Sequence, residues 1–264
     1  MKPEIRRQER RPGGFLAVAV ALACIFPFAF LLALSLAGPW RFPLLLPEFW
    51  SGARWSSLVG DQRGLLSSLL ASLLLSAAVA AVATGLGFLT SRAIAFHARR
   101  RLLLFLAYLP FVFSPVILAA CLLHVFLRLH LAGSWLGVGL AQLLLAYSFA
   151  IVFFQGFWNR EKRALGDLVA TLGGSTGQLY RRVYLPLGRE MLEISFFQTF
   201  LLSFFQYGST VLIGGGAVKT LPVEVYHFAG EADPYYAALA GCLLVWPPFL
   251  LLWVNRRFVF RAPV

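Results

Sequence analysis

Six stretches of this chain contain no Asp, Glu, Lys or Arg at all: about Gly13–Leu36, Leu65–Thr90, Leu102–Phe126, Leu136–Trp158, Ile194–Ile213 and Tyr235–Val254. Each approaches or exceeds the roughly 20 apolar residues that an α-helix needs to cross the hydrocarbon core of a bilayer. Inside lipid, a spanning segment must satisfy its own backbone N–H and C=O groups, so helices and closed barrels are the available solutions. The alternation over about ten residues that marks a barrel strand is absent from these stretches. The reading is therefore an all-α polytopic membrane protein with six transmembrane helices, forming a single transmembrane domain over residues 1–264. Composition agrees, because 13% of residues are charged, about half of what a soluble domain carries.

The formal charge of +12 does not describe a nucleic-acid-binding face. Its basic residues fall in short clusters between apolar runs, not in a stripe on a soluble surface. Those clusters set the orientation instead. With six spans the two termini share one side. That side holds every Lys and Arg except Arg41, Arg54, Arg63, Arg128 and Lys219. By the positive-inside rule it is cytoplasmic. The basic head and apolar body at the N-terminus imitate a secretory signal, but the body outruns the roughly 7–15 apolar residues of such a signal. It is read as a retained first span.

Candidate chemistry is sparse. Cys24, Cys121 and Cys242 all sit in apolar runs, where small buried hydrophobes are expected rather than a disulfide or metal site. No catalytic, cofactor-binding or metal-ligating set is expected. The chain lacks G-x-x-x-x-G-K-[ST], G-x-S-x-G and H-E-x-x-H, and no acid lies inside a predicted span. A chain without a phosphate-cradling loop is not expected to hydrolyse ATP itself. Prolines inside the spans (Pro27, Pro110, Pro115, Pro247, Pro248) fit kinked helices. The outer connection Gly38–Gly64, rich in Trp and Phe, reads as an interfacial segment.

One cytoplasmic connection, about 159–189, is different in kind. Within it, DLVATLGGSTGQLYRRVYLP runs from Asp167 to Pro186. Leu168 and Leu172 are four apart and share one helix face. Asp167 is expected near the start of that helix, where an acid suits the positive dipole end. Gly173 or Gly174 supplies a left-handed cap, and Ser175 with Gln178 forms a capping box that starts a second helix at once. Pro186 fixes the start of the fifth span. Two short helices around a glycine turn, presenting an apolar ridge to water, describe either a docking surface or a helix lying on the membrane.

This stretch resembles the EAA loop of ABC-transporter permease subunits, the membrane halves of binding-protein-dependent importers. That motif reads E-A-A, three residues, G, nine residues, I-x-L-P. Here Asp167-Leu168-Val169 stands at E-A-A, Gly173 at the glycine, and Val183-Tyr184-Leu185-Pro186 at I-x-L-P. The departures are Asp for Glu, Leu-Val for Ala-Ala, and Val for Ile. The resemblance extends from about Leu65 to Val254. It includes LPFVFSPVILAACL and FFQYGSTVLIGGGAVKTLPVEVY, the latter similar to the branch importing iron(III), thiamine, polyamines or sulfate. It implies the MetI-like fold, and docking of Asp167, Leu168, Leu172, Gly173, Leu185 and Pro186 against a cytoplasmic ATP-binding subunit dimer. It also implies a second permease subunit and a periplasmic substrate-binding protein in a bacterial inner membrane. The loop His227, Glu231 and Asp233 would lie on the side facing that binding protein, or simply be solvated.

Gln198, Ser203 and Gln206 lie within roughly 140 degrees of each other on the fifth span, at 100 degrees per residue. They are candidates for lining the pathway; interhelical hydrogen bonding is the other use of such residues. A channel or secondary carrier without ATP coupling is the alternative function class.

Overall fold

The computed structural model describes residues 14–40, 46–60 and 64–259. The N-terminal basic cluster (Lys2, Arg6, Arg7, Arg10, Arg11), Arg41, Arg63 and Arg261 lie outside the described residues. Among the described residues all regular elements are helical, and the one strand-like contact is the isolated pairing of Ala37 with Trp50. The helices are α1 (Gly14–Leu36), α2 (Ala53–Ser57), α3 (Leu65–Ala95), α4 (Arg100–Val112), α5 (Pro115–Arg128), α6 (Trp135–Phe154) and α7 (Arg160–Thr171). They continue with α8 (Thr176–Leu179), α9 (Leu185–Leu187), α10 (Arg189–Phe204), α11 (Gly208–Gly214), α12 (Leu221–Gly230) and α13 (Pro234–Val259).

Four helices, α1, α3, α6 and α13, are long and apolar enough to cross a membrane. The third and fifth expected spans are not continuous. The third is α4 and α5, bent by 99°, and the fifth is α10 and α11, bent by 58°. The count is thus four uninterrupted helices, or six spans if each bent pair is one. Pro115 causes the first break. A residue before proline is pushed out of the helical region, and Phe113 and Ser114 both have ψ near 141°. Pro115 then opens α5 in the first turn, where its missing N–H costs nothing. Pro110, inside α4, does not break it.

At the second break Gly208 lies so close to Val116 that a Cβ would overlap the valine side chain. The starts of α5 and α11 therefore meet. Their far ends meet too, because Ile213 packs with Ala119 and Phe126 and its carbonyl accepts from Gly133 N–H at 2.7 Å. The two half-helices run side by side in one direction.

The bundle is built on α3, which packs on α6 and α10. Its buried face is a row of small residues four apart or nearly so: Ser68, Ser72, Ser76, Ala80, Thr84, Gly87 and Ser91. Small residues let backbones approach, which is how helices gain contact where lipid removes the hydrophobic drive. Gly87 shows the effect, since a Cβ there would overlap Ala150 of α6. Thr84 and Thr199 share a hydrogen bond of 3.2 Å between α3 and α10. At 31 residues, α3 is about 46 Å long, longer than the roughly 30 Å core of a bilayer. Its last turn carries Arg92.

The segment between α11 and α13 holds a helix that sequence reading leaves as a connection. In α12, Leu221 and Phe228 are buried against Leu239 and Leu243, and Leu221 N–H donates to Ser72 Oγ at 2.7 Å. Of the polar residues that follow, His227 lies 3.7 Å from Glu231, and Asp233 Oδ1 accepts from Tyr236 N–H at the start of α13.

Candidate functional site

The loop folds as a helical hairpin. Asn159 opens α7, its side chain accepting from Lys162 N–H at 3.0 Å, with Glu161 as the acid of the first turn. The helix thus starts seven residues before Asp167, and the expectation that Asp167 stands near its start is corrected. Asn159 is the better cap because its side-chain oxygen reaches an orphan amide, and Glu161 takes the place beside the dipole. Asp167 lies past the middle of α7 and is exposed.

The far end of α7 is closed by Gly173, at φ +74°. Gly173 N–H bonds Ala170 O at 3.1 Å and Gly174 N–H bonds Val169 O at 2.8 Å, the paired bonds of a Schellman stop. Ser175 and Gln178 then form both bonds of a capping box and begin α8. The chain continues through a wider π-type turn at Tyr180–Tyr184 and the short α9. Pro186, with no N–H to give, fits a place where the regular ladder is already interrupted. Leu185 and Pro186 are exposed on this return arm.

The two faces of α7 differ. Leu168 is 55% and Leu172 78% exposed, and Leu165, one turn earlier, extends the same ridge. The opposite face turns inward at Gly166, which is buried. A Cβ on Gly166 would stand 2.7 Å from Tyr184 Oη. Tyr184 is fully buried and its hydroxyl donates to Lys162 O at 2.9 Å. Around it lie Phe88, Phe154, Phe157, Trp158 and Leu179. Arg92 from α3 stacks over Tyr180 and Tyr184 at 5.2 and 5.1 Å, and Arg163 over Phe96 at 5.7 Å. Burial pushes the Tyr184 phenol above its ordinary value, and the Arg92 guanidinium pulls it part of the way back. The ridge is therefore offered to solvent from a backbone fixed at both ends and at its waist. Arg92, Gly166 and Tyr184 were not singled out from sequence; a lone aromatic inside a motif's variable position gives no signal of burial.

The three candidates on the fifth span part company. Ser203 is buried and donates to Gln142 Oε1 of α6 at 2.6 Å, while Gln142 Nε2 donates to Thr210 Oγ1 of α11 at 3.0 Å. Gln206 is half-buried beside the break, with its Nε2 enclosed and lacking a hydrogen-bond partner. Gln198 is exposed on α10. Among the described residues no group of His, Cys, Asp or Glu is arranged to hold a metal ion.

Broken and unbroken apolar helices around a capped hairpin define a helical polytopic membrane protein that presents a rigid loop on its basic side. No protein-family model matches the chain. Curated relatives do. The chain is 30% identical over 168 residues to the molybdenum transport system permease protein ModB of Mycobacterium bovis and that of Mycobacterium tuberculosis, covering 58% of this chain and 63% of each relative. It is 29% identical over 141 residues to the inner membrane ABC transporter permease protein YnjC of Escherichia coli, covering 53% of this chain and 28% of that protein. It is 26% identical over 171 residues to the trehalose transport system permease protein SugB of Mycobacterium tuberculosis, covering 61% of each. The matched stretch thus spans less than two thirds of these relatives' own length. Over that stretch the chain is similar to permease subunits of ABC and related transport systems.

Proposed function

We propose that this chain is the membrane-spanning subunit of an ATP-driven importer. It forms half of the translocation pathway for a small solute delivered by a periplasmic binding protein, and it lies in a bacterial inner membrane with both termini cytoplasmic. A separate ATP-binding subunit dimer supplies the energy, and a second permease subunit, identical or distinct, completes the pathway. The hairpin carries this reading: Leu168 and Leu172 are exposed on a helix whose ends are capped and whose opposite face is held by Tyr184. A helix resting on lipid would bury such leucines without needing fixed geometry. A surface that must transmit force to a partner needs both apolar contact and rigidity.

In this reading Asp167, Leu168, Leu172, Gly173, Leu185 and Pro186 form or hold the docking element. Closure of the ATPase moves the hairpin and the broken spans together and alternates access to the pathway. Gln198 and Gln206 remain candidates for meeting the solute. Ser203, already bonded to Gln142, serves it by fixing α6 against α10. The mycobacterial relatives are named for molybdenum and for trehalose transport, so the solute class is open to direct trial. Reconstitution in vesicles with the ATPase and binding protein should give ATP-dependent uptake. Accumulation without ATP would instead indicate a channel or secondary carrier, and ATP-driven efflux would reverse the direction.

A further inference from the structure

We propose that Tyr184 is a positioning residue that ties the docking hairpin to α3, so that displacement of α7 reaches the membrane helices through its hydroxyl. This inference rests on the ATP-coupled reading above. Its basis is geometric. Among the described elements α7 packs mainly on α8, the hairpin's own second helix. Its link to the bundle is made by side chains. Tyr184 Oη donates to Lys162 O at 2.9 Å, a carbonyl that also belongs to the helical ladder and faces the Gly166 amide one turn on. The hydroxyl reaches that carbonyl because residue 166 has no Cβ, which would otherwise stand 2.7 Å away.

On its other side the Tyr184 ring meets Trp158 edge to face at 5.1 Å and lies under the Arg92 guanidinium. Trp158 in turn donates through Nε1 to Ser91 Oγ at 2.7 Å. Ser91 and Arg92 are neighbours on α3, the helix on which the bundle is built. A continuous path of packed and hydrogen-bonded groups thus runs from the α7 backbone to α3. The sequence motif leaves position 184 unspecified, so the assignment comes from the geometry and not from the pattern.

The test uses the full chain in lipid nanodiscs and vesicles, alone and with its ATPase and binding protein. Tyr184→Phe keeps the ring in its cluster and removes only the hydroxyl. ATPase binding and hydrolysis should persist. Solute moved per ATP, with molybdate and trehalose as tracers, should fall about fivefold, the factor that one typical lost hydrogen bond supplies. Gly166→Ala should act in the same direction with the hydroxyl still present, because the added carbon pushes α7 away from it. In the chain alone, amide exchange across α7 should quicken in Tyr184→Phe while α3 and α6 stay unchanged. Wild-type transport per ATP in both variants, or unaltered exchange in α7, would overturn the assignment. Loss of ATPase binding in Tyr184→Phe would also overturn it, by making Tyr184 part of the docking surface. If the wild-type protein transports without ATP, the importer reading fails, and the exchange comparison alone then decides whether the tether exists.

Discussion

Gly173 offers a perturbation whose size can be worked out before it is made. Its φ of +74° lies in the left-handed region, and no atom lies within 4 Å of where a Cβ would go. Substitution there meets no clash, so the only cost is conformational. For an ordinary L-residue that cost is about 1–2 kcal/mol. At roughly 1.4 kcal/mol per factor of ten, this lowers the population of the capped hairpin by about 5- to 30-fold when the cost falls wholly on that state. Apparent affinity for the ATPase falls by the fraction of hairpin that stays competent. Gly173→Ala should therefore weaken ATPase association by up to that factor and speed amide exchange at the end of α7. Gly173→Asn should recover most of the loss, because Asn visits the left-handed region readily. Equilibrium binding and exchange mass spectrometry on the same samples check both. If Gly173→Ala binds and exchanges as the native chain does, or if Asn is no better than Ala, the capped turn does not control docking.

Leu172→Asp should abolish ATPase co-purification while leaving membrane insertion intact, since Leu172 is exposed and supports nothing in the bundle; retained co-purification refutes the ridge as a docking face. Cysteines placed at Gly60, Gly133 and Gly230 should label from outside intact cells, and inside labelling at any two of them reverses the orientation. A double-mutant cycle with Gln142→Leu and Ser203→Ala should show coupling of about 0.6 kcal/mol, and no more than about 1.7, as for hydrogen bonds between membrane helices; additive effects would remove the bond. The Tyr184 phenol is held above its ordinary value of 10.0, so its stabilising contribution is full below that value and is lost as pH rises through the higher folded value. The difference in tyrosinate absorbance between native chain and Tyr184→Phe should show a late-ionising tyrosine.

The hairpin was legible because its determinants are local. Gly173, the Ser175–Gln178 box and the Leu168/Leu172 pair each act within a few residues, and each is where the pattern puts it. The one local error, the start of α7, came from beginning the helix at the motif instead of at Asn159. The bent spans were less legible. A run of apolar residues measures length, not straightness, and Pro110 and Pro115 look alike in sequence. Pro110 sits inside a helix and Pro115 begins one; only at Pro115 does the disfavoured helical conformation of the preceding residue coincide with a partner, α11, for the helix that follows. The fifth span has no proline at its break. Its bend is tied to Gly208 seating on Val116, more than 90 residues away in sequence, so no window of sequence contains its cause.

The pathway candidates show the same limit from the other side. Gln198, Ser203 and Gln206 share a helical arc on paper, yet that arc assumes a continuous helix from the first to the last. The helix ends at Phe204, so Gln206 belongs to the break, where its Nε2 is enclosed without a hydrogen-bond partner. Ser203 looks inward because Gln142 of α6 offers an acceptor at 2.6 Å, and Gln142 is itself held by donating to Thr210 beyond the break. One amide thus spans both halves of the interrupted fifth span and fixes their relation to α6. A polar residue in an apolar run announces that something must satisfy it. Whether that is water in a pathway or a side chain on another helix depends on which helix stands opposite; for Ser203 the opposing amide of α6 takes the hydroxyl proton and leaves the oxygen able to accept.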